Sequence, residues 1–394
     1  MATLGIEEEY LLLDPASGLP VHKAGDVAAY LHRSPRVTDS EIQRELLSCQ
    51  IETATPVSAT LTEAEEYLLN FRGQLEAAAR KASVVASGTA SAPFIEDHYP
   101  ELTDKARYRQ LRDSAPGIVG DQFVNGLHVH VSIPDREAGV QALNRIREWL
   151  PAIVALSCNS PYWLGRDSGF GSWRVVHYRR WPVQGCPPTF KDAADYERRV
   201  RQLVSTGAII DRGVLTWMAR LSDSYPTLEV RAGDAQLRAR DSVLIAALVR
   251  GLVSTAVEEA GRGVDRPVPE SELLDAAMWQ AAREGLTGRL VDPVSAELVP
   301  AQERIQALLD FTASALDAEN DTEWVRAGLQ DIEDSGTGSE RQRRAMAARG
   351  NRRADGALRD HADLGVASRT ARWCPSHGLP RAPARSFAGP HRSC

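Results

Sequence analysis

The chain has 394 residues, of which 43% are hydrophobic and 25% charged, enough to bury one large core or two modest ones. No apolar run approaches the roughly 20 residues of a membrane-spanning helix, and Met1 leads to Glu7-Glu8-Glu9 without a signal-peptide core, so a cytoplasmic protein with no membrane partner is expected. The formal charge of −7 divides into 34 basic against 49 acidic residues before position 336 and 12 Arg against 4 acidic residues from there on; the acidic body argues against a nucleic-acid partner.

Gly5 to Leu13 reads as a strand ending at the turn signal Asp14-Pro15. A second strand is expected over Leu46 to Thr53. Thr62 and Glu65 then form a capping box for a helix in which Ala64, Leu68, Phe71, Leu75 and Ala79 recur at helical spacing, and Val84-Val85-Ala86 reads as a return strand. Leu127 to Ile133 alternates most cleanly, with Leu127, Val129, Val131 and Ile133 on one face and His128, His130 and Ser132 on the other. Residues 137 to 157 read as helical, bent or ended in their first part by Pro151. The Gly-, Pro- and aromatic-rich stretch from Asn159 to Phe190 lacks periodicity and is expected to be a functional loop region. Thr227 to Arg231 reads as a strand, followed by a helix capped by Asp241, with further helices over about 271 to 284 and 301 to 317. Polar-faced strands followed by helices define an α+β fold, with function on one sheet face and helices on the other. Five cysteines, at 49, 158, 186, 374 and 394, form no CxxC pair, which points to free thiols rather than zinc ligands or disulfides.

In an extended strand Glu7 and Glu9 project to the same side, about 7 Å apart, a spacing that suits two divalent cations on one phosphate chain. Glu8 points the other way with Ile6 and Tyr10, which the simple pattern does not explain. His128 and His130 share the polar face of their strand, and Glu229 and Arg231 repeat the arrangement on another, offering an oxygen ligand and a guanidinium for phosphate or carboxylate. Taken singly, these are also a solvated edge strand, a hydrogen-bonded histidine pair and a cross-strand salt bridge. Taken together, they describe an oxygen-rich, multi-metal site on a sheet. None of the four lysines follows a glycine and no serine sits in a GxSxG elbow, so phosphate handling falls to metal and arginine.

Gly5-Ile6-Glu7-Glu8-Glu9-Tyr10, Asn125-Gly126-Leu127-His128-Val129-His130-Val131, Asn159-Ser160-Pro161-Tyr162-Trp163 and Tyr225-Pro226-Thr227-Leu228-Glu229-Val230-Arg231 resemble the carboxylate–amine ligases of the glutamate–cysteine ligase type 2 family, from residue 3 to about residue 350. The resemblance implies a glutamine synthetase-like fold whose active site lies on a curved antiparallel sheet. It also implies a ligase reaction in which ATP phosphorylates a carboxylate, typically the glutamate side chain, and an amine such as cysteine displaces phosphate to form an amide. Mg²⁺, or Mn²⁺ in its place, would serve as two or three ions per site, with small-molecule acid and amine as partners and a homo-oligomer left open.

Carried over by position, the resemblance makes Glu7, Glu9, Glu52, His128 and Glu229 metal ligands, with Glu45 a further candidate. Glu45 and Glu52 stand seven residues apart, so a regular strand would put them on opposite faces and a bend must intervene if both bind. Arg231 would hold the ATP phosphates or the acyl phosphate. Arg174, in Gly171-Ser172-Trp173-Arg174, suits a substrate carboxylate; Arg220 and His130 join the nucleotide- and substrate-binding set, and Arg231, Glu229 and Arg174 form the catalytic group. Leu221 replaces a proline of the family pattern, and Ala92-Pro93-Phe94 stands where the pattern reads His-Pro-Phe. Both departures are expected near the substrate pocket.

The ligase domain is expected over 1–350, followed by an Arg-, Pro- and Ala-rich, largely disordered tail over 351–394 that is dispensable for fold and activity, or serves as an electrostatic arm. Two other functions compete with the ligase: a carboxylate or guanidino kinase, which would release ADP without an amine, and a nucleotide-binding regulator without turnover.

Overall fold

The computed structural model describes residues 2–96 and 98–354. Alternation builds β1 (Leu4–Leu13): Leu4, Ile6, Glu8 and Tyr10 are buried against the helices, while Gly5, Glu7 and Glu9 face the opposite side. After α1 (Ala24–Leu31), the expected strand over 46 to 53 is instead a hairpin. Its arms are β2 (Gln43–Arg44) and β3 (Gln50–Ala54), paired Gln43 to Glu52 and Arg44 to Ile51. The turn between them is the bend that Glu45 and Glu52 required. The next helix, α2 (Leu61–Lys81), starts ahead of the expected cap: Thr60 accepts from the Glu63 amide at 3.2 Å, and the Glu63 carboxylate accepts from the Thr60 amide at 3.1 Å. Its buried stripe includes Ala64, Leu68, Phe71, Leu75 and Ala79.

β4 (Val85–Ser87) returns beside β1, and two short helices, α3 (Ala106–Ser114) and α4 (Pro116–Val119), lead to β5 (Gly126–Ser132). The helical stretch that follows breaks as expected. α5 (Arg136–Ile146) and α6 (Leu150–Ser157) are separated by a 3₁₀ turn, and Pro151 lies in the first turn of α6, where a missing N–H costs little. The aromatic stretch is more structured than its sequence indicates, holding a small hairpin, β6 (Tyr162–Trp163) with β7 (Arg166–Asp167), and α7 (Trp173–Tyr178), capped by Ser172. Then come α8 (Ala193–Ser205), β8 (Ala219–Leu221) and β9 (Thr227–Asp234), three residues longer than expected. Asp241 does not cap the next helix, α9 (Ala239–Gly261). It sits in the first turn, paired with Arg238 and Arg341, both at 2.8 Å. The remaining elements are α10 (Ser271–Glu284), a hairpin of β10 (Arg289–Asp292) and β11 (Glu297–Pro300), α11 (Ala301–Glu319), α12 (Thr322–Ser335) and α13 (Gly338–Ala354).

Seven antiparallel strands form the main sheet in the order β2-β3-β1-β5-β9-β8, with β4 also paired to β1. Helices α2, α5, α6 and α9 cover one face, and α9 is buried along most of its first four turns. Burying the aliphatic side of each strand there contributes about 25 cal/mol per Å² of apolar surface and leaves the other face to polar groups. Helix α13 ends at Ala354, and the rest of the expected tail, 355–394, lies outside the described residues. No helix among the described residues is long and apolar enough to cross a membrane.

Candidate active site

Register brings the polar residues of five strands together. Across β1 and β5, Glu7 faces His128; across β1 and β3, Glu9 faces Glu52; across β5 and β9, His130 faces Glu229; across β9 and β8, Glu229 faces Arg220. These residues, with Glu45, Arg174 and Arg231, line one cavity of about 550 Å³ on the sheet face opposite α2, α5, α6 and α9, walled also by Tyr108 of α3 and Tyr178 of α7. All ten residues anticipated for the site meet there. Ala92 and Leu221, expected near the pocket, do not line it themselves: both are buried in the core, and Arg220 and Ser222 on either side of Leu221 reach the cavity.

Ligand-type atoms of Glu7, His128 and Glu229 lie within 4.8 Å of one another, and so do those of Glu9, Glu52 and His128. Burial alone would favour a neutral Glu7, but contacts to His128 Nδ1 at 3.0 Å and His130 Nε2 at 3.2 Å hold it far below the carboxylate range. Glu229 is likewise held low against its burial by the charges of Arg231 and Arg220. Arg220 Nε donates to Glu229 Oε2 at 2.6 Å, and Arg231 also pairs with that carboxylate. The other triad behaves oppositely. Burial and the charge of Glu45 raise Glu9 to about 7, and burial with Glu45, Glu7 and Glu9 pushes Glu52 well above its ordinary value. Burial and Arg231 lower His128 to about 4, so it is neutral and has a lone pair to offer.

This donor set fits Mg²⁺ or Mn²⁺: mostly hard carboxylate oxygens with one imidazole, and a cluster of acids whose mutual repulsion a cation would relieve. Glu45 belongs to neither triad; it lines the cavity beyond them and acts on Glu9 and Glu52 through its charge. His130 is held by Thr227 Oγ1 at 3.0 Å from Nδ1.

Arg174 is 4% exposed and its Nη1 makes no hydrogen bond. Its Nη2 donates to the Arg231 carbonyl at 3.3 Å, and Asp234 Oδ1 lies 4.0 Å from Nη1. Asp234, fully buried, is fixed by the Asn159 amide at 2.9 Å and by the hydroxyls of Ser160 at 2.7 Å and Ser172 at 2.8 Å. The Asn-Ser-Pro segment and the α7 cap Ser172 thus anchor the first turn of α7, which carries Arg174, to the end of β9. Gly126 has a steric role: a Cβ there would lie 2.5 Å from Arg174 Nη2 and 2.9 Å from His128 Nε2. Neither Asp234 nor Gly126 was anticipated. The register shift opposite His128 moves Asp234 out of simple alternation with Glu229 and Arg231.

The fold is the glutamine synthetase-like one, and solved ligase structures share it. A glutamate–cysteine ligase from Francisella tularensis in complex with AMP superposes with a TM-score of 0.63 at 12% identity, covering 86% of this chain and 83% of that one. A bifunctional glutathione synthetase from Pasteurella multocida gives 0.63 at 15% identity, over 88% of this chain and 50% of that one.

Residues 3–363 match the family described as glutamate-cysteine ligase family 2, and the chain belongs to that family. The match extends beyond residue 350, where the resemblance was expected to stop. Curated relatives carrying provisional glutamate–cysteine ligase names include one from Mycolicibacterium vanbaalenii, 42% identical over 87% of this chain and 93% of its own. Another, from Saccharopolyspora erythraea, is 40% identical over 89% and 90%. The protein is an ATP-dependent carboxylate–amine ligase.

Proposed function

We propose that the protein phosphorylates a carboxylate with ATP, most simply the side-chain carboxylate of glutamate, and that an amine such as cysteine then takes the acyl group from the acyl phosphate, forming the amide and releasing phosphate. The observation that supports this reading is the single cavity in which two acidic triads share His128 beside Arg231, Arg220 and Arg174.

In this reading Glu7, His128 and Glu229 hold one divalent cation and Glu9 and Glu52 another, with Glu45 available to a further ion. Bound there, Mg²⁺ would neutralise charge on the transferring phosphoryl group. The chain's own groups do the positioning. Arg231, oriented by Glu229, presents a guanidinium to phosphate oxygens, and Arg220 braces the same carboxylate from β8. Arg174 offers its unpaired Nη1 to the acid substrate, since a buried donor left unsatisfied favours a carboxylate that completes it.

The test is phosphate release from ATP by purified protein with glutamate and other acids against a panel of amines, with Mg²⁺. The reading expects release that needs both acid and amine, an amide product, and a hydroxamate when hydroxylamine is the amine. ADP formation that is complete without any amine would replace the ligase by a kinase.

A further inference from the structure

Glu8 is the residue of the Glu7-Glu8-Glu9 run that the cavity leaves unused. Its side chain points into the helical layer and is 1% exposed. There it makes a forked pair with Arg72 of α2, with Nη2 2.6 Å from Oε1 and Nε 3.0 Å from Oε2. The Tyr10 hydroxyl and Ser242, at the start of α9, also donate to it. Arg72 extends further: Nη1 donates to the Leu237 carbonyl at 2.9 Å and Nη2 to that of Gln236 at 3.1 Å. Those carbonyls lie in the turn that leaves β9 just after Asp234.

One guanidinium therefore joins β1, at the residue between Glu7 and Glu9, to the end of the strand that carries Glu229 and Arg231. β5 separates these strands, about 9.6 Å for two strand spacings. The β5–β9 ladder is irregular within the site, its register shifting between Leu127 and Val129, at the level of His128. The turn is held from its other side as well: Gln236 Nε2 donates to the Ser157 carbonyl at 2.8 Å, and Gly88 packs so closely that a Cβ there would sit 2.4 Å from the Gln236 oxygen.

We infer that Glu8 and Arg72 are positioning residues for the cation site, their bridge to Gln236 and Leu237 setting the spacing between the carboxylates of β1 and Glu229 of β9. The inference rests on the divalent-cation reading proposed above. A bond that only stabilised the fold would shift the melting temperature and leave cation affinity unchanged in the folded state.

The experiment is calorimetric titration of Mn²⁺ into the full-length protein and two variants, with folding checked by circular dichroism. E8Q/R72M removes both charges and so leaves no uncompensated buried ion. R72K keeps the charge, but one ammonium cannot span the carboxylate and both carbonyls. Folded E8Q/R72M should bind Mn²⁺ roughly tenfold or more weakly, with KM for Mg²⁺ raised in proportion and kcat at saturating Mg²⁺ within about threefold of wild type. R72K should fall between, and decides the matter if the double variant does not fold. Wild-type affinity in either folded variant overturns the inference and leaves the cation reading standing; absence of Mn²⁺ binding by the wild-type protein overturns both.

Discussion

Glu7 stands opposite His128 across the β1–β5 ladder, its Oε2 3.0 Å from Nδ1, while its other oxygen reaches His130 Nε2 at 3.2 Å. Two imidazoles on one carboxylate keep it ionised in a buried setting. Glu7→Gln keeps the shape and removes the charge, and is expected to lower Mg²⁺-dependent ATP turnover by roughly two orders of magnitude or more. Phosphate-release rates measure this, and a wild-type rate would remove Glu7 from the site.

Glu229 is the shared partner of Arg220 and Arg231. Glu229→Gln leaves two largely buried guanidiniums facing a neutral amide, so a loss of about 3 kcal/mol of stability should accompany the loss of turnover. Because the folded protein holds this carboxyl below its ordinary 4.5, its contribution is complete above that value and declines as the pH falls toward the depressed one. Denaturant melts should show a shallower acid decline in the variant than in wild type.

The shift at Glu9 has the opposite sign. A carboxyl raised from 4.5 to about 7 favours the folded state most below pH 4.5. That contribution, on the order of 3 kcal/mol, is lost as the pH rises through 7. A cation that binds the ionised form restores stability where it has been lost. Mg²⁺ should therefore raise the melting temperature more at pH 8 than at pH 6, and an equal rise at both would separate Glu9 from the cation.

Arg174→Met is expected to raise KM for the acid substrate by roughly 10- to 100-fold, the value of a charge-assisted hydrogen bond, with KM for ATP little changed. Arg174→Lys should recover only part of this, because an ammonium lacks the planar fork. An unaltered KM for every acid tested would assign Arg174 to structure alone.

Gly126→Ala introduces a methyl group 2.5 Å from Arg174 Nη2 and 2.9 Å from His128 Nε2. The backbone there is ordinary strand, so the variant should fold, with a cost of about 1–3 kcal/mol for overpacking. Its kcat/KM should nevertheless fall by at least about tenfold, since both displaced groups face the cavity. Steady-state kinetics beside a thermal melt would show the imbalance.

The sheet was readable wherever one face is aliphatic and the other polar. Glu7, Glu9, His128 and Glu229 could be placed because period-2 alternation fixes side-chain direction before any partner is known. The hairpin before Glu52 was not readable: β2 is two residues long, and only its pairing with β3 defines it. Asp234 escaped notice because the irregular β5–β9 register breaks the alternation that would have pointed to it. Glu8 remained unexplained because its partner lies 64 residues away on a helix whose sequence shows only that Arg72 adjoins the apolar Phe71. Local pattern carries direction, whereas long-range polar pairing is a property of the assembled layers.

His128 is common to both acidic triads, with Nδ1 toward Glu7 and Nε2 3.8 Å from Glu9. A neutral imidazole has one lone pair and one N–H, so it can ligate on one side only. In the proposed reading the imidazole serves the ion of Glu7 and Glu229, and an ion at Glu9 and Glu52 would be held by oxygen alone. Two such positions would be chemically unequal, and a metal with a stronger taste for nitrogen, such as Mn²⁺ beside Mg²⁺, should sort between them rather than fill them at random.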